Sequence, residues 1–132
     1  MELISLDEFK DNDIYEDFIN KNPQLGSIKI QVYTAQIAIP IEDAQITIYK
    51  DIGEYDVMFY RGKTNLNGII DNIYLPAPTL EKVSKLEDLP YAQYIMEIKK
   101  EGYKPIYEHV FNIFAGTKSI QNIELLPLIN IE

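Results

Sequence analysis

Residues 26–34, Gly-Ser-Ile-Lys-Ile-Gln-Val-Tyr-Thr, alternate apolar and polar side chains and set the architecture of the chain. Successive side chains of a strand point to opposite faces, so Ile28, Ile30 and Val32 share one side. The chain before Gly26 is acidic and has helical spacing. After it, similar alternating runs are separated by turns rich in Gly, Pro, Asn and Asp. Short strands at regular intervals are typical of an antiparallel sandwich or a small barrel.

Seven strands are predicted after Gly26. They cover residues 27–34, 44–50, 57–63, 69–75, 93–99, 105–114 and 119–126. The long connection 79–90 mixes charged and apolar residues and is compatible with a helical turn. The predicted fold is all-β, a seven-stranded antiparallel Greek-key sandwich over residues 26–132, preceded by a short, partly helical N-terminal arm over residues 1–25.

The arm is predicted to form two short helices or one broken helix. Leu6 and Phe9 are three positions apart, and Ile14 and Phe18 are four apart, which is the spacing of an apolar helical stripe. Helices this short are not stable alone in water, so the stripe must pack on this chain's own sandwich or on a neighbouring subunit. We favour docking on a protein partner. The docking residues would be Leu6, Phe9, Ile14, Tyr15 and Phe18.

Charge and composition exclude several classes of function. The net charge is −9, and residues 1–26 carry seven acidic residues against two lysines. Phosphates repel such a chain, so nucleic acid is not an expected partner, although the charge also serves solubility. Cys is absent, which excludes disulfides and thiolate ligands. The N-terminal residues resemble neither a signal peptide nor a membrane span. We therefore expect cytoplasmic synthesis and no membrane contact.

Short motifs in the chain resemble a known family. They are Pro40-Ile-Glu-Asp-Ala44, the turn Thr64-Asn-Leu-Asn-Gly68, and the stretch Tyr94-Ile-Met-Glu-Ile-Lys-Lys-Glu-Gly-Tyr103. Together they resemble the carboxypeptidase regulatory-like domain, a transthyretin- or immunoglobulin-like sandwich. Residues 112–127 are most similar to the sandwich module near the start of clostridial spore-cortex-lytic enzymes. The resemblance implies a non-catalytic module that anchors, spaces or accompanies another component.

The sequence contains few residues that could act in catalysis or bind a metal. The single histidine, His109, lies in a predicted strand, and without a second His or a Cys a zinc site is not expected. Tyr60-Arg61-Gly62 resembles part of the tetrapeptide of the transthyretin-fold hydroxyisourate hydrolases. In that family the motif is C-terminal and accompanied by several histidines, which this chain lacks. We predict no catalytic residues, no cofactor, no metal site and no enzyme activity.

Two further kinds of site are weighed and not favoured. An intramolecular isopeptide bond, as formed in related adhesin repeats, would use Lys29, Asn122 and Glu124, but Lys29 is predicted to point to solvent. Residues 11–22 lack the glycine and glutamate that a calcium hand needs. The acids of residues 51–56 are expected to form a solvated turn.

Aromatic residues provide the second candidate surface. Tyr55, Phe59, Tyr60 and Arg61 lie around one turn and the strand after it. Aromatic residues with arginine are typical of contact surfaces, although tyrosine also half-buries its ring in sheets. The alternative function is therefore a carbohydrate- or peptidoglycan-binding module that uses this face.

The leading hypothesis is a non-catalytic structural, assembly or anchoring module that binds a protein partner or further copies of itself. Two settings stay open: the spore or cell envelope of a bacterium, and a phage or phage-tail-like particle. The final location would then be the envelope or the virion.

Overall fold

A computed structural model describes residues 2–35, 38–79 and 89–128 of the chain. Within these residues, neither helix is long and apolar enough to cross a membrane. The predicted helical turn within residues 79–90 falls largely outside the described residues. The elements are β1 (Glu2–Ser5), α1 (Leu6–Lys10), α2 (Ile14–Lys21), β2 (Gln24–Thr34), β3 (Ile39–Pro40), β4 (Gln45–Ile52), β5 (Tyr55–Lys63), β6 (Ile69–Ala77), β7 (Ala92–Lys99), β8 (Ile106–Ile113) and β9 (Lys118–Glu124).

The strands form two sheets that pack as a sandwich. The larger sheet has five strands in the order β1-β5-β4-β7-β8. In the smaller sheet β2 is central, with antiparallel β6 and parallel β9 as its long partners and β3 as a short one. The predicted all-β sandwich with short N-terminal helices is confirmed. The seven predicted strands are all present, as β2 and β4 to β9.

The structure adds two strands and two parallel pairings to the prediction. β1 belongs to the N-terminal arm and runs parallel to β5. β9 runs parallel to β2, because the turn after β8 crosses from the larger sheet to the smaller one. The predicted purely antiparallel pairing is therefore replaced by a mixed one. An alternating pattern fixes which face a residue occupies, but it does not fix strand direction.

Gly26 allows this crossing. The turn after β8 passes directly over the start of β2, where the Gly116 amide donates to the Leu25 carbonyl at 2.9 Å and the Ser27 amide to the Thr117 carbonyl at 3.0 Å. A Cβ atom at position 26 would collide with the Phe114 carbonyl. The residue where the sequence changes character thus also lies where the chain passes from the larger sheet to the smaller one.

Inner side chains of both sheets form one core. Ile28, Ile30 and Val32 of β2 are buried as the alternation predicts. Tyr94 of β7 is fully buried, and its hydroxyl donates to the Pro76 carbonyl at 2.6 Å, so the polar group is satisfied. Burial raises the pKa of Tyr94. Other large, fully buried residues on the strands of this core are Ile46, Ile48, Leu75, Met96, Ile98 and Ile113.

The N-terminal arm packs on its own sandwich. α1 begins at Ser5, whose hydroxyl accepts a hydrogen bond from the Glu8 amide at 3.1 Å, as a helix cap does. Phe9 of α1 is 0% exposed, and Phe18 of α2 is also buried. Both lie in a second apolar cluster with Val57 of β5. The helices therefore obtain their stability from tertiary packing.

Phe59 joins this second cluster to the main core. Its ring centroid is 5.7 Å from that of Phe18 and 5.3 Å from that of Tyr94. Phe9 extends the series, with its centroid 6.0 Å from that of Phe18 in an edge-to-face arrangement. Aromatic pairs at these separations are favourable beyond the area they bury. The arm and the sandwich consequently share one continuous apolar interior.

This packing predicts a large loss of stability for Phe9→Ala. Removal of a fully buried phenylalanine is expected to lower the free energy of unfolding by about 3–5 kcal/mol, because it leaves a cavity as well as removing apolar contacts. Chemical denaturation followed by far-UV circular dichroism measures the change. Leu66→Ala, at a turn residue that is 72% exposed, is the matched control and should change stability by less than about 0.5 kcal/mol. A loss as small as that of the control would contradict the packing of the arm.

Candidate functional site

The five residues predicted to dock on a partner are instead directed to the protein's own interior. Phe9 and Phe18 are buried, and the three others are partly buried against the same cluster. The sandwich offers the Ile52–Val57 hairpin and Phe59 as an apolar surface, and the helices cover it. In this structure Phe9 and Phe18 are covered by the chain itself and present no surface to a partner. The other three predicted docking residues, Leu6, Ile14 and Tyr15, keep part of their surface exposed.

The aromatic ligand face does not exist as one face. The pairing of β4 with β5 shifts between Ile48 and Tyr49, where Ile48 pairs with Tyr60 and Tyr49 with Met58. The extra residue, Phe59, makes this a bulge and breaks the simple alternation. Phe59 and Tyr60 both pack against the main core as a result.

The other two residues of the predicted face are Tyr55 and Arg61. Tyr55 packs against the arm cluster. Arg61 is exposed, and its Nε donates to the Thr47 hydroxyl at 3.4 Å. Burial raises the pKa of Tyr60. Three of these four side chains therefore pack against apolar clusters of this chain and only Arg61 is exposed, so the four do not form one open face for a glycan.

His109 links the two sheets. Its Nε2 lies 2.8 Å from Oε1 of Gln121, so a β8 side chain is hydrogen-bonded to a β9 side chain. Across the described residues, no three histidine or carboxylate side chains converge as a metal site would require. The partner that the structure provides for this histidine is an amide, which fits a structural role.

The residues weighed for an isopeptide bond lie on the outer face of the smaller sheet. The register places Lys29 beside Ile120 and Asn122 beside Gln31. Lys29 is partly buried, while Asn122 and Glu124 are exposed. Such a bond needs a buried lysine, asparagine and acid together. The predicted outward orientation of Lys29 agrees with this placement.

Two carboxyl groups face each other on the β4–β5 hairpin. Asp51 and Asp56 are cross-strand partners, and Oδ1 of Asp56 is shielded from solvent without a hydrogen-bond partner among the described residues. Loss of hydration raises the pKa of Asp56 to about 6, and the hydrogen bond and negative charge of Asp51 act in the same direction. The pair holds a proton more tightly than an isolated aspartate. The sequence predicted a solvated turn here, because it does not show that the two acids are opposite each other.

The outer face of the smaller sheet is a surface that the sequence analysis did not single out. Leu25, Tyr74 and Ile120 are 55%, 61% and 58% exposed. Nζ of Lys118 on β9 reaches across β2 to Oδ1 of Asp71 on β6, at 2.8 Å. Hydrogen bonding from Lys118 lowers the pKa of Asp71. The face thus combines exposed apolar side chains with an ion pair.

A sequence signal for this face was available. Strand alternation places Lys29 on the opposite side from Ile28 and Ile30, and the same rule applied to β6 and β9 places Tyr74 and Ile120 outside. These residues come together because β2 pairs with both β6 and β9, and the sequence alone does not show that pairing.

Comparisons with known proteins support the fold alone. No family model matches the chain, and no curated protein matches it. Among solved structures, wild-type catechol 1,2-dioxygenase from Acinetobacter radioresistens matches with 12% identity and a TM-score of 0.53 over 98% of this chain. The chain spans 60% of the length of that dioxygenase. Transthyretin from Sparus aurata matches with 10% identity and a TM-score of 0.44, over 79% of this chain and 97% of its own length.

Of the family resemblance, only the fold is supported by these matches. A β-sandwich is supported as the fold, as the alternating strand pattern predicted. No family match supports the similarity to the spore-cortex-lytic module. At such low identities, the names of the matched proteins say nothing about the activity of this one.

The carboxyl pair predicts that Asp56→Asn stabilises the protein at neutral pH. An asparagine keeps the shape of the side chain and removes one of two opposed negative charges. Because the pKa of Asp56 is raised in the folded state, wild-type stability should fall as the pH rises from about 4 to 6 and then stay level. The expected gain at pH 7.5 is about 1 kcal/mol, allowing for solvent screening, and it should vanish near pH 4.

Urea denaturation of both proteins at several pH values measures this gain. Glu42→Gln also removes one negative charge, at an exposed loop position, and should show no gain that depends on pH in this range. A gain for Asp56→Asn that stays constant down to pH 4 would show that the two carboxyl groups do not share a proton.

Proposed function

We propose that this protein is a non-catalytic structural module that assembles with further copies of itself through the outer face of its smaller sheet. The observation that carries the proposal is the exposure of Leu25, Tyr74 and Ile120 on one side of a regular sheet. Large exposed apolar groups beside polar ones are typical of protein contact surfaces. The arm completes the interior in this proposal and is not the docking element.

Charge favours a second copy as the partner. The outer face carries two lysines, Lys29 and Lys118, and two acids, Asp71 and Glu124, so its formal charge is balanced. The chain as a whole has a net charge of −9, and its arm is strongly acidic. Two copies that meet through this face avoid the repulsion between their acidic surfaces.

The setting of this assembly is part of the proposal. A spore or cell envelope and a phage or phage-tail-like particle are the two alternatives, and both use repeated copies of small structural domains. Pull-down on purified peptidoglycan tests the envelope setting, and electron microscopy for ordered particles tests the other. Glycan recognition through Tyr55, Phe59, Tyr60 and Arg61 is not proposed, since these side chains do not share a face.

A charge placed on this face should prevent self-association. Tyr74→Glu and Ile120→Glu each put a carboxylate in the proposed contact, and burial of an unpaired charge should weaken self-association by about tenfold or more. Sedimentation velocity across a wide concentration range measures the dissociation constant. Leu66→Glu introduces the same charge at another exposed leucine and should leave association unchanged.

Two outcomes would count against the proposal. The wild-type protein remaining monomeric at all concentrations would remove the second copy as the partner. An equal loss of association in all three variants would show that the added charge acts through the whole molecule and not through this face. Circular dichroism of each variant confirms that the sandwich is intact.

A further inference from the structure

We infer that a cleft lined by lysines and tyrosines, at one end of the larger sheet, binds an anionic carbohydrate. The cleft has a volume of about 510 Å³ and is open to solvent. This volume is within the range of pockets that hold small ligands. The cleft involves the outer face of the larger sheet, so the inference does not depend on assembly through the smaller sheet.

Strand register brings the positive charges together. Gln45 at the start of β4 pairs with Lys63 at the end of β5 on one side and with Lys99 at the end of β7 on the other. The three side chains therefore form a row on the outer face, with the amide between the two ammonium groups. Lys100 follows directly and lines the same cleft. Three of the twelve basic residues of an acidic chain thus line a single cleft.

Two of these ammonium groups are left for a ligand. Lys99 is already engaged, with Nζ 3.1 Å from Oε1 of Glu97 and 5.4 Å from the centre of the Tyr107 ring. Among the described residues, Lys63 and Lys100 have no carboxylate within ion-pair distance. Like charges in one row repel each other, and an anion between them would relieve that repulsion.

The acids of the cleft limit the kind of anion. Asp43 and Glu101 also line it, so three lysines oppose two carboxylates and the formal charge is only +1. A densely charged polymer such as nucleic acid would meet these carboxylates as well as the lysines. A ligand with one carboxylate per sugar ring can place its acid near Lys63 or Lys100 and its hydroxyls near Gln45. The charge pattern therefore favours an acidic sugar.

Tyrosine rings supply the surface for the sugar. Tyr107 is 55% exposed beside the cleft, and Tyr103 lines its floor while packing on the core. An aromatic ring offers an apolar face to the C–H groups of a sugar and a hydroxyl for hydrogen bonding.

The turn that carries Tyr103 is held in place from both sides. The Tyr103 amide donates to the Lys100 carbonyl at 3.1 Å, and the Lys104 amide donates to the Leu126 carbonyl at 2.8 Å. The Leu128 amide donates to the Gly102 carbonyl at 2.9 Å. A preformed wall lowers the entropic cost of binding.

Titration of the 132-residue protein with trigalacturonic acid tests the inference, with maltotriose as the neutral trisaccharide. Isothermal calorimetry and two-dimensional NMR should show that the acidic trisaccharide binds about tenfold or more tightly than the neutral one, with an affinity that falls as salt is added. Tyr107→Ala should weaken binding about tenfold, and Lys63→Gln about fivefold.

Lys10→Gln is the matched control, because it removes the same charge from helix α1, where the side chain is exposed and does not line the cleft, and it should leave the affinity within about twofold of wild type. Three results would each overturn the inference: equal binding of the two trisaccharides, an equal loss in Lys10→Gln and Lys63→Gln, and no binding of trigalacturonic acid. Tighter binding of a single-stranded oligonucleotide than of the sugar would also overturn it. Self-association is measured separately, so each hypothesis fails on its own result.

Discussion

The structure depends on the burial of the inner side chains of β2. This strand is hydrogen-bonded on both sides, to β6 and β9, and Ile28, Ile30 and Val32 are almost completely removed from water. A central strand that buries one face commits its neighbours to a fixed register, since a shift by one residue would expose the whole apolar set. This fixed register also decides which side chains of β6 and β9 lie on the outer face of the smaller sheet.

The aromatic series from Phe9 through Phe18 and Phe59 to Tyr94 extends the same interior beyond the sandwich. Phe59 lies on the same side of β5 as Val57, two residues before it, and the bulge then brings Tyr60 against the main core as well. The arm therefore behaves as a third layer over the β4–β5 hairpin. Its acidic residues stay at the surface, so the side of the molecule that carries the arm is strongly negative. Any partner of similar charge has to approach another side.

Charge is distributed between the two outer faces in different ways. The smaller sheet presents balanced charges around exposed apolar groups, which suits contact with a second protein surface. One end of the larger sheet gathers Lys63, Lys99 and Lys100 around two tyrosines, which suits a small anionic ligand. At the other end of that sheet, Asp51 and Asp56 oppose each other and reduce stability above pH 6. A module that binds a glycan on one side and its own copies on the other would hold such copies on a polysaccharide surface.

The sequence by itself determined the all-β class, the seven main strands, the inward side of β2 and the need of the arm's apolar stripe for a partner surface. These features follow from local periodicity, which each segment carries alone. The tertiary structure decided where that stripe packs, that β1 and β9 run parallel to their neighbours, and which side chains share a surface. Tyr55, Phe59 and Tyr60 pack inward while Arg61 is exposed, because one extra residue in the strand puts Phe59 and Tyr60 on the same side. Lys63, Lys99 and Tyr107 are distant in sequence and adjacent in space, because pairing between strands has no signature within any one strand.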